Sequence, residues 1–302
     1  APDSSVPPVD NGLSPSDGPE LAGTCKHIAV TARAEMPGGI GPIDYAGAAW
    51  GGDAYIVIWN KRIDNKGFGF ARITTDGELV ADPTELWVDK RGADRPKLAV
   101  SGDRLAVAYY GHRANDAVCR LGIASTSGAS VLPPVDFGGD AAGASVQNCH
   151  VAPYGSNEFM AVWSEIALSK DTDRSLYAQR YDLDGKPLGN PITIIGGLKG
   201  KGLQTGFQLA PLGDKLLIQH PGVGDAPTLS TIDAKQQVGS TPLSVSGPPS
   251  GKPNMIMRWT GRSVHLRWLD NLAAIDAQGN VTAGLVQLPW QTHGVAPTAT
   301  LG

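Results

Sequence analysis

The stretch GSNEFMAVW, residues 155–163, combines a turn glycine with an apolar run that ends on a large aromatic ring. Aromatic and β-branched residues in a short run bounded by turn residues favour a β-strand. A second run with strand character follows and ends in YDLDG, residues 181–185. Aspartate followed by glycine favours a tight turn between strands, because glycine accepts a positive φ without steric cost. This segment therefore predicts consecutive antiparallel strands.

The same pattern returns along the chain at intervals of 48 to 58 residues. The first turn has its glycine at Gly52, Gly102, Gly155, Gly213 and Gly261. The ring that closes each strand is Trp59, Tyr109, Trp163, His220 or Trp268. The second turn has Gly77, Gly128, Gly185 and Gly279, with Gln236 at the same place in the fourth unit. The chain thus contains five copies of one structural repeat.

Between units lie an outer strand, a polar loop and an inner strand, as in LWVDKRGADRPKLAV, residues 86–100. Each unit then has four strands, and one small sheet cannot bury both of its faces without neighbours. We therefore expect an all-β fold, a five-bladed β-propeller of four-stranded antiparallel blades, with the aromatic column between blades. The predicted blades span residues 41–90, 91–143, 144–200, 201–248 and 249–292 of one domain, residues 24–302.

Ring closure is left open by the sequence. The pattern gives six outer-to-inner connections but only five hairpins between the second and third strands. Either the segment CKHIAVTAR, residues 25–33, completes the last blade, or there are six blades with one incomplete. An incomplete blade would leave a terminal strand available to pair with another chain.

Composition limits the environment and the partners. Residues 1–23 are rich in proline, serine, aspartate and glycine, which predicts a disordered or extended linker of the kind left after removal of an export signal. We therefore expect a secreted, periplasmic or cell-surface protein. A net charge of −4 argues against nucleic-acid binding, and no apolar run approaches the roughly 20 residues needed to span a bilayer.

Residues 41–292 resemble the repeats of secreted bacterial β-propeller proteins, in which a G-x-x-Y-x-V-x-W strand precedes a Y-D-x-D-G turn. The resemblance is clearest at residues 155–163 and 181–185, and it weakens in the fourth repeat, at His220 and Gln236. It implies a propeller outside the cytoplasm. Since many members of that group have no known activity, it implies a fold rather than a function.

Candidate binding residues lie in the loops that a propeller gathers on one face. Those loops connect the second strand to the third and the last strand to the next blade, and they are rich in charge in the first three blades. The candidates are Arg62, Asp64, His112, Arg113, Asp116, Glu165, Asp171, Asp173 and Arg174. Loops on a rigid scaffold commonly carry function, and the usual catalytic motifs are absent. We expect a non-enzymatic binding or assembly module for a glycan or a protein.

Two alternatives remain. Some five-bladed propellers are glycoside hydrolases with carboxylates facing a central channel, for which Asp44, Asp94 and Glu165 are the candidates here. The sequences around these residues lack the local patterns of such enzymes. The second alternative is a subunit of a larger extracellular complex.

Cysteines and acidic pairs give the remaining predictions. Cys119 and Cys149 open strands at the same end of neighbouring blades, which predicts a disulfide that leaves Cys25 over. Cys149 and His150 should point to opposite faces of a strand and so cannot share one metal ion. No cofactor is expected, although Asp171 and Asp173 leave calcium open.

Overall fold

The computed structural model describes most of the chain from residue 46 to residue 287. The described ranges are 46–60, 67–89, 93–113, 116–138, 144–167, 174–198, 206–212, 214–221, 227–242, 255–259, 264–268, 271–276 and 281–287. Within them the chain forms twenty strands in five antiparallel four-stranded sheets. Four predictions lie outside the described residues: the terminal strand at residues 25–33, the linker at residues 1–23, the unpaired Cys25 and the mode of ring closure.

Strand order in every sheet follows the chain. Sheet 1 contains β1 (Ala46–Trp50), β2 (Tyr55–Asn60), β3 (Gly67–Ile73) and β4 (Thr84–Val88). Sheet 2 contains β5 (Asp94–Ser101), β6 (Arg104–Arg113), β7 (Asp116–Ser125) and β8 (Ser130–Phe137). Sheet 3 contains β9 (Ala144–Tyr154), β10 (Glu158–Ala167), β11 (Arg174–Asp182) and β12 (Ile192–Leu198). Sheet 4 contains β13 (Gln208–Leu212), β14 (Lys215–Pro221), β15 (Pro227–Ile232) and β16 (Val238–Pro242). Sheet 5 contains β17 (Met255–Trp259), β18 (Val264–Trp268), β19 (Asn271–Ile275) and β20 (Val281–Gln287).

The first strands of successive sheets contact one another in series, β1 with β5, β5 with β9, β9 with β13 and β13 with β17. They are therefore the inner strands, around which the sheets are stacked. This is the arrangement of a β-propeller, which confirms the predicted all-β propeller fold with four-stranded antiparallel sheets. Each sheet falls within one of the five predicted repeat units.

Hydrophobic cores lie between successive sheets. Ile56 and Ile58 of β2 pack with Leu105 and Val107 of β6, for example, and all four are fully buried. Similar clusters join sheets 2 and 3, sheets 3 and 4, and sheets 4 and 5. Because side chains alternate along a strand, each sheet contributes one set of residues to the preceding core and the other set to the following core.

The aromatic column does lie between sheets where its contacts are described. Tyr109 is fully buried, with its ring edge-on to Phe68 of sheet 1 at a centroid distance of 4.8 Å. Its hydroxyl donates to Asp89 Oδ2 at 2.5 Å, and Arg120 Nε lies 2.7 Å from the same oxygen. One repeat later, Trp163 packs edge-on to Phe137 of sheet 2 at 5.6 Å.

The second turn of the repeat is also as predicted. Gln236 has a φ of 62°, in the left-handed region occupied by Gly128 at 95° and Gly185 at 82°. In the third repeat the Asp182 carboxylate accepts hydrogen bonds from the N–H groups of Asp184 and Lys186, at 3.0 and 2.8 Å. The YDLDG segment therefore forms the tight turn that its sequence predicts.

A disulfide joins Cys119 of β7 to Cys149 of β9, the pair expected from the sequence, with an S–S distance of 2.00 Å. Cys119 is the cross-strand partner of Tyr110, and Cys149 is the partner of Trp163. The bond therefore ties sheet 2 to sheet 3 at the level of the aromatic column.

Replacing Tyr109 by Phe should lower the free energy of unfolding by about 1–3 kcal/mol, because Asp89 loses a buried hydrogen-bond donor while the ring packing remains. Urea unfolding of Y109F measures this loss. Y55F is the matched control, since the Tyr55 side chain is 47% exposed. Equal losses in the two variants would contradict the role given to the Tyr109 hydroxyl.

Replacing both Cys119 and Cys149 by Ala should lower the free energy of unfolding by about 3–4 kcal/mol, as loop entropy predicts for a sequence separation of 30 residues. Denaturant unfolding with and without reductant provides the measurement. Reductant should destabilise the native protein and have no effect on the double variant. A double variant as stable as the oxidised protein would show that the bond does not restrain the unfolded chain.

Candidate functional site

The candidate site begins in sheet 2, near the end of β6, with Tyr110 and His112. Tyr110 packs against the core shared by sheets 2 and 3. His112 lies two residues further on the same side of the strand and is exposed, and the two rings contact edge-on at 5.4 Å. One wall of the site therefore consists of two contacting rings, the partly buried Tyr110 and the exposed His112 imidazole.

The opposing wall comes from sheet 3. The Trp163 indole N–H donates to Glu165 Oε1 at 2.7 Å, which fixes the carboxylate beside the ring. Tyr177 of β11 stacks on Trp163 with a centroid distance of 5.7 Å and an interplanar angle of 28°. Tyr177 and Glu165 are both partly exposed, so their polar atoms can reach solvent.

Asp94 begins β5 and is the cross-strand partner of Tyr110. The register then shifts between Asp94 and Lys97, and Arg95 has a φ of 52°, so this strand begins with a strained bulge. Arg95 Nε lies 3.5 Å from Asp94 Oδ2, and both side chains are exposed by a third or more. Burial raises the pKa of the Tyr110 hydroxyl, an effect that Arg95 opposes and Asp94 reinforces.

We call this region the sheet 2–3 boundary and define it by Asp94, Tyr110, His112, Trp163, Glu165 and Tyr177. The Cys119–Cys149 disulfide lies beside it, because Cys119 is the cross-strand partner of Tyr110 and Cys149 is that of Trp163. It combines partly exposed rings, carboxylates and an imidazole on a frame of paired strands. Bulges in strands commonly re-aim side chains at such places, and here one precedes Lys97 and another affects β9 opposite Glu165.

Of the predicted residues, Asp94 and His112 lie beside Tyr110 in sheet 2, and Glu165 lies beside Trp163 in sheet 3. Arg113 and Asp116 are cross-strand partners at the end of the same β6–β7 hairpin. Asp44, Arg62, Asp64, Asp171 and Asp173 lie outside the described residues. The hydrolase pairing of Asp44 with Glu165 and calcium at Asp171 and Asp173 therefore stay predictions.

The prediction of a loop position is wrong for five residues that lie within strands, namely His112, Arg113, Asp116, Glu165 and Arg174. Ile166 and Arg174 are cross-strand partners, so β10 and β11 extend further than the sequence pattern suggested. Arg174 is the first residue of β11 and is only 3% exposed, which removes it from the candidate surface. Glu165 lies within β10 and keeps its place at the sheet 2–3 boundary.

Sequence reasoning missed Tyr110 and Tyr177, because it searched for charged residues in loops. Tyr110 directly follows Tyr109 of the aromatic column. Alternation along β6 turns Tyr109 toward sheet 1 and Tyr110 toward sheet 3. That alternation was the signal that could have identified Tyr110.

Basic groups from two inner strands lie close together at the centre of the stack. The His150 ring packs against Phe207 of sheet 4 at 4.4 Å. Loss of hydration, and then the nearby charge of Lys97, lower the His150 pKa to about 3. Burial and the charge of Arg95 also lower the Lys97 pKa.

Cys149 and His150 project to opposite sides of β9, as expected. The cysteine is bonded to sheet 2 and the histidine packs on sheet 4. In the part of the chain that the structure describes, no group of three or more His, Cys, Asp or Glu residues is placed to hold a metal ion. Among the same residues, no helix is long and apolar enough to cross a bilayer.

No protein-family model and no curated protein sequence matches this chain. An α-L-arabinofuranosidase from Fusarium graminearum, solved with an iminosugar inhibitor, matches with a TM-score of 0.52 and 11% identity, over 86% of this chain and 84% of that one. A mutant lectin from Aleuria aurantia, in complex with Fucα1-6GlcNAc, matches with a TM-score of 0.50 and 11% identity, over 80% of this chain and 77% of that one. At such low identity the likeness supports the β-propeller fold alone.

Replacing His150 by Phe should make the protein less sensitive to acid. His150 is neutral when folded but binds a proton below about pH 6.5 when unfolded, so its contribution is complete above that pH and is lost as the pH falls toward 3. Between pH 7 and pH 4.5, urea unfolding should show a steeper loss of stability in the native protein than in H150F, by up to about 1.4 kcal/mol per pH unit, and the buried His220 should leave H150F a smaller loss. H112F, at an exposed histidine, should keep the native pH dependence, and equal slopes in all three proteins would contradict this assignment.

Proposed function

We propose that this protein is an extracytoplasmic carbohydrate-binding module and that the sheet 2–3 boundary binds the glycan without cleaving it. The observation that carries the proposal is the combination there of partly exposed aromatic rings with charged and polar groups. Tyr110 and Tyr177 supply the rings, and Asp94, His112 and Glu165 supply the polar atoms.

A sugar ring has apolar C–H faces and hydroxyl groups around its edge. Aromatic side chains offer a flat apolar surface with a polar tip, which suits the C–H faces. Carboxylates and an imidazole accept or donate the hydrogen bonds that fix the orientation of the hydroxyls, and bonds to an ionised group are the stronger ones. The groups at this boundary therefore match both parts of a sugar.

Rigidity supports a binding role. The Trp163 indole is buried, hydrogen-bonded to Glu165 and stacked on Tyr177. The positions of the ring and of the carboxylate are therefore fixed before a ligand binds. The Cys119–Cys149 disulfide joins sheet 2, which carries one wall, to sheet 3, which carries the other. Preorganised groups lose less conformational entropy on binding, which raises affinity for a given set of contacts.

The similar solved structures add support from their own ligands. One is described as an arabinofuranosidase with an iminosugar inhibitor, and the other as a lectin with a fucosylated sugar. We favour binding over hydrolysis because both described carboxylates already have partners. Glu165 accepts from Trp163, and Asp94 pairs with Arg95.

The disulfide also supports the location. Disulfides persist in oxidising compartments, so the Cys119–Cys149 bond favours a secreted, periplasmic or cell-surface protein. A protein ligand or membership of a larger extracellular complex is the alternative, and it would use the same sheet 2–3 boundary.

The test is binding of the native protein to an array of immobilised fucosylated and arabinosylated oligosaccharides, followed by calorimetry on the best ligand. E165Q and R113A should each weaken affinity about tenfold, or about 1.4 kcal/mol, because E165Q removes the carboxylate charge at the sheet 2–3 boundary and R113A removes the charge next to His112. K235A is the matched control, since Lys235 lies in the exposed turn between β15 and β16.

Either of two results would reject the proposal. If no oligosaccharide on the array binds the native protein, the carbohydrate class is wrong. If a glycan binds with the same affinity to E165Q and R113A as to the native protein, the site lies elsewhere. Circular dichroism of both variants confirms that the fold is retained.

A further inference from the structure

Sheet 4 contains a chain of three hydrogen-bonding side chains that leads from the core to the surface. His220 Nε2 lies 2.8 Å from Ser230 Oγ, and Ser230 Oγ lies 2.8 Å from Ser240 Oγ. His220 belongs to β14, Ser230 to β15 and Ser240 to β16, so the chain crosses three neighbouring strands. This arrangement is separate from the sheet 2–3 boundary.

The second ring nitrogen of His220 fixes the direction of the chain. His220 Nδ1 lies 2.8 Å from the backbone carbonyl oxygen of Pro221, which can only accept a hydrogen bond. Nδ1 therefore carries the proton, and in the neutral ring Nε2 is the acceptor. Ser230 then donates to His220, and Ser240 donates to Ser230.

Burial changes along the chain in the same direction. His220 and Ser230 are fully buried, whereas Ser240 on the outer strand is exposed. Burial also lowers the His220 pKa, which keeps the ring neutral at neutral pH, and the Pro221 carbonyl opposes this in part. An exposed hydroxyl is thus linked to an unprotonated buried base.

The backbone of Ser240 faces outward. The Asp233 N–H donates to the Gln237 carbonyl, so Asp233 is at a hydrogen-bonded position of the β15–β16 ladder. Hydrogen-bonded and non-hydrogen-bonded pairs alternate in an antiparallel ladder, which makes Ser230 and Ser240 a non-hydrogen-bonded pair. Their side chains are therefore close, and the Ser240 N–H points away from β15.

We propose that Ser240 is a nucleophile toward carboxylic esters, activated by His220 through Ser230. Ser240 Oγ forms a bond to the acyl carbon while its proton passes to Ser230 and the Ser230 proton passes to His220 Nε2. The ester C–O bond breaks, and the proton returns through the same chain to the departing alkoxide, which leaves as the alcohol. Water then cleaves the acyl-serine and restores Ser240.

Acylation by p-nitrophenyl acetate tests this proposal directly. The native protein should release p-nitrophenolate and carry an acetyl group on Ser240, located by peptide mass spectrometry. S240A and S230A should each react about 100-fold more slowly, because general-base activation of the hydroxyl is lost. S240A changes an exposed side chain, so loss of the fold is not expected.

Ser127 provides the matched control. It is an exposed serine whose hydroxyl lies 2.8 Å from the Ser125 hydroxyl, but no histidine bonds to this pair among the described residues. S127A should react like the native protein, and Ser127 should remain unacetylated. Acetyl groups on Ser127 and Ser240 alike would overturn the role of His220.

The pH dependence separates activation by histidine from background chemistry. The native rate should rise with pH, level off above the His220 pKa, which lies below 6.5, and stay level between pH 7 and pH 8. Acylation of lysine or attack by hydroxide would keep rising over that interval. A native rate in S240A, or a native rate in S230A, would overturn the proposal.

Discussion

Each sheet of this protein must bury two faces, and the structure depends on that constraint. A four-stranded sheet alone leaves both faces in water, so sheet 2 places one set of side chains on sheet 1 and the alternate set on sheet 3. Tyr109 and Tyr110 are adjacent in sequence but lie on opposite faces of sheet 2. Tyr109 is buried in the core against sheet 1, and Tyr110 is partly exposed at the boundary with sheet 3. Alternation along β6 separates packing from the candidate binding site.

The sequence predicts the repeat well because the same physical demand recurs in every unit. A ring must fill the space between sheets and a turn must accept positive φ, so Trp163 and even Gln236 can be placed by position alone. The contacts between different sheets are not periodic. The length of β10 and β11, which buries Arg174, and the approach of Tyr177 to Trp163 depend on neighbours that a repeat pattern does not specify.

Two buried basic side chains, Arg120 and His220, are stabilised in different ways. Arg120 is almost fully buried, but it pairs with Asp89 and with Asp136 at 2.7 and 2.9 Å, so its charge is compensated. His220 is buried as a neutral ring, and its two nitrogens are satisfied by a carbonyl and a hydroxyl. The first arrangement fixes the contact between two sheets. The second leaves a chain of exchangeable protons that reaches the surface.

The bond between Cys119 and Cys149 has a mechanical consequence. Contacts between neighbouring sheets are otherwise made by packing and hydrogen bonds, which yield when the sheets are pulled apart. A disulfide does not break under forces that separate packed side chains. Sheets 2 and 3 therefore move as one rigid unit, and strain falls on the contacts between the other sheets. Under a pulling force, other contacts between sheets would therefore separate first. The boundary between these two sheets would be the last to change shape.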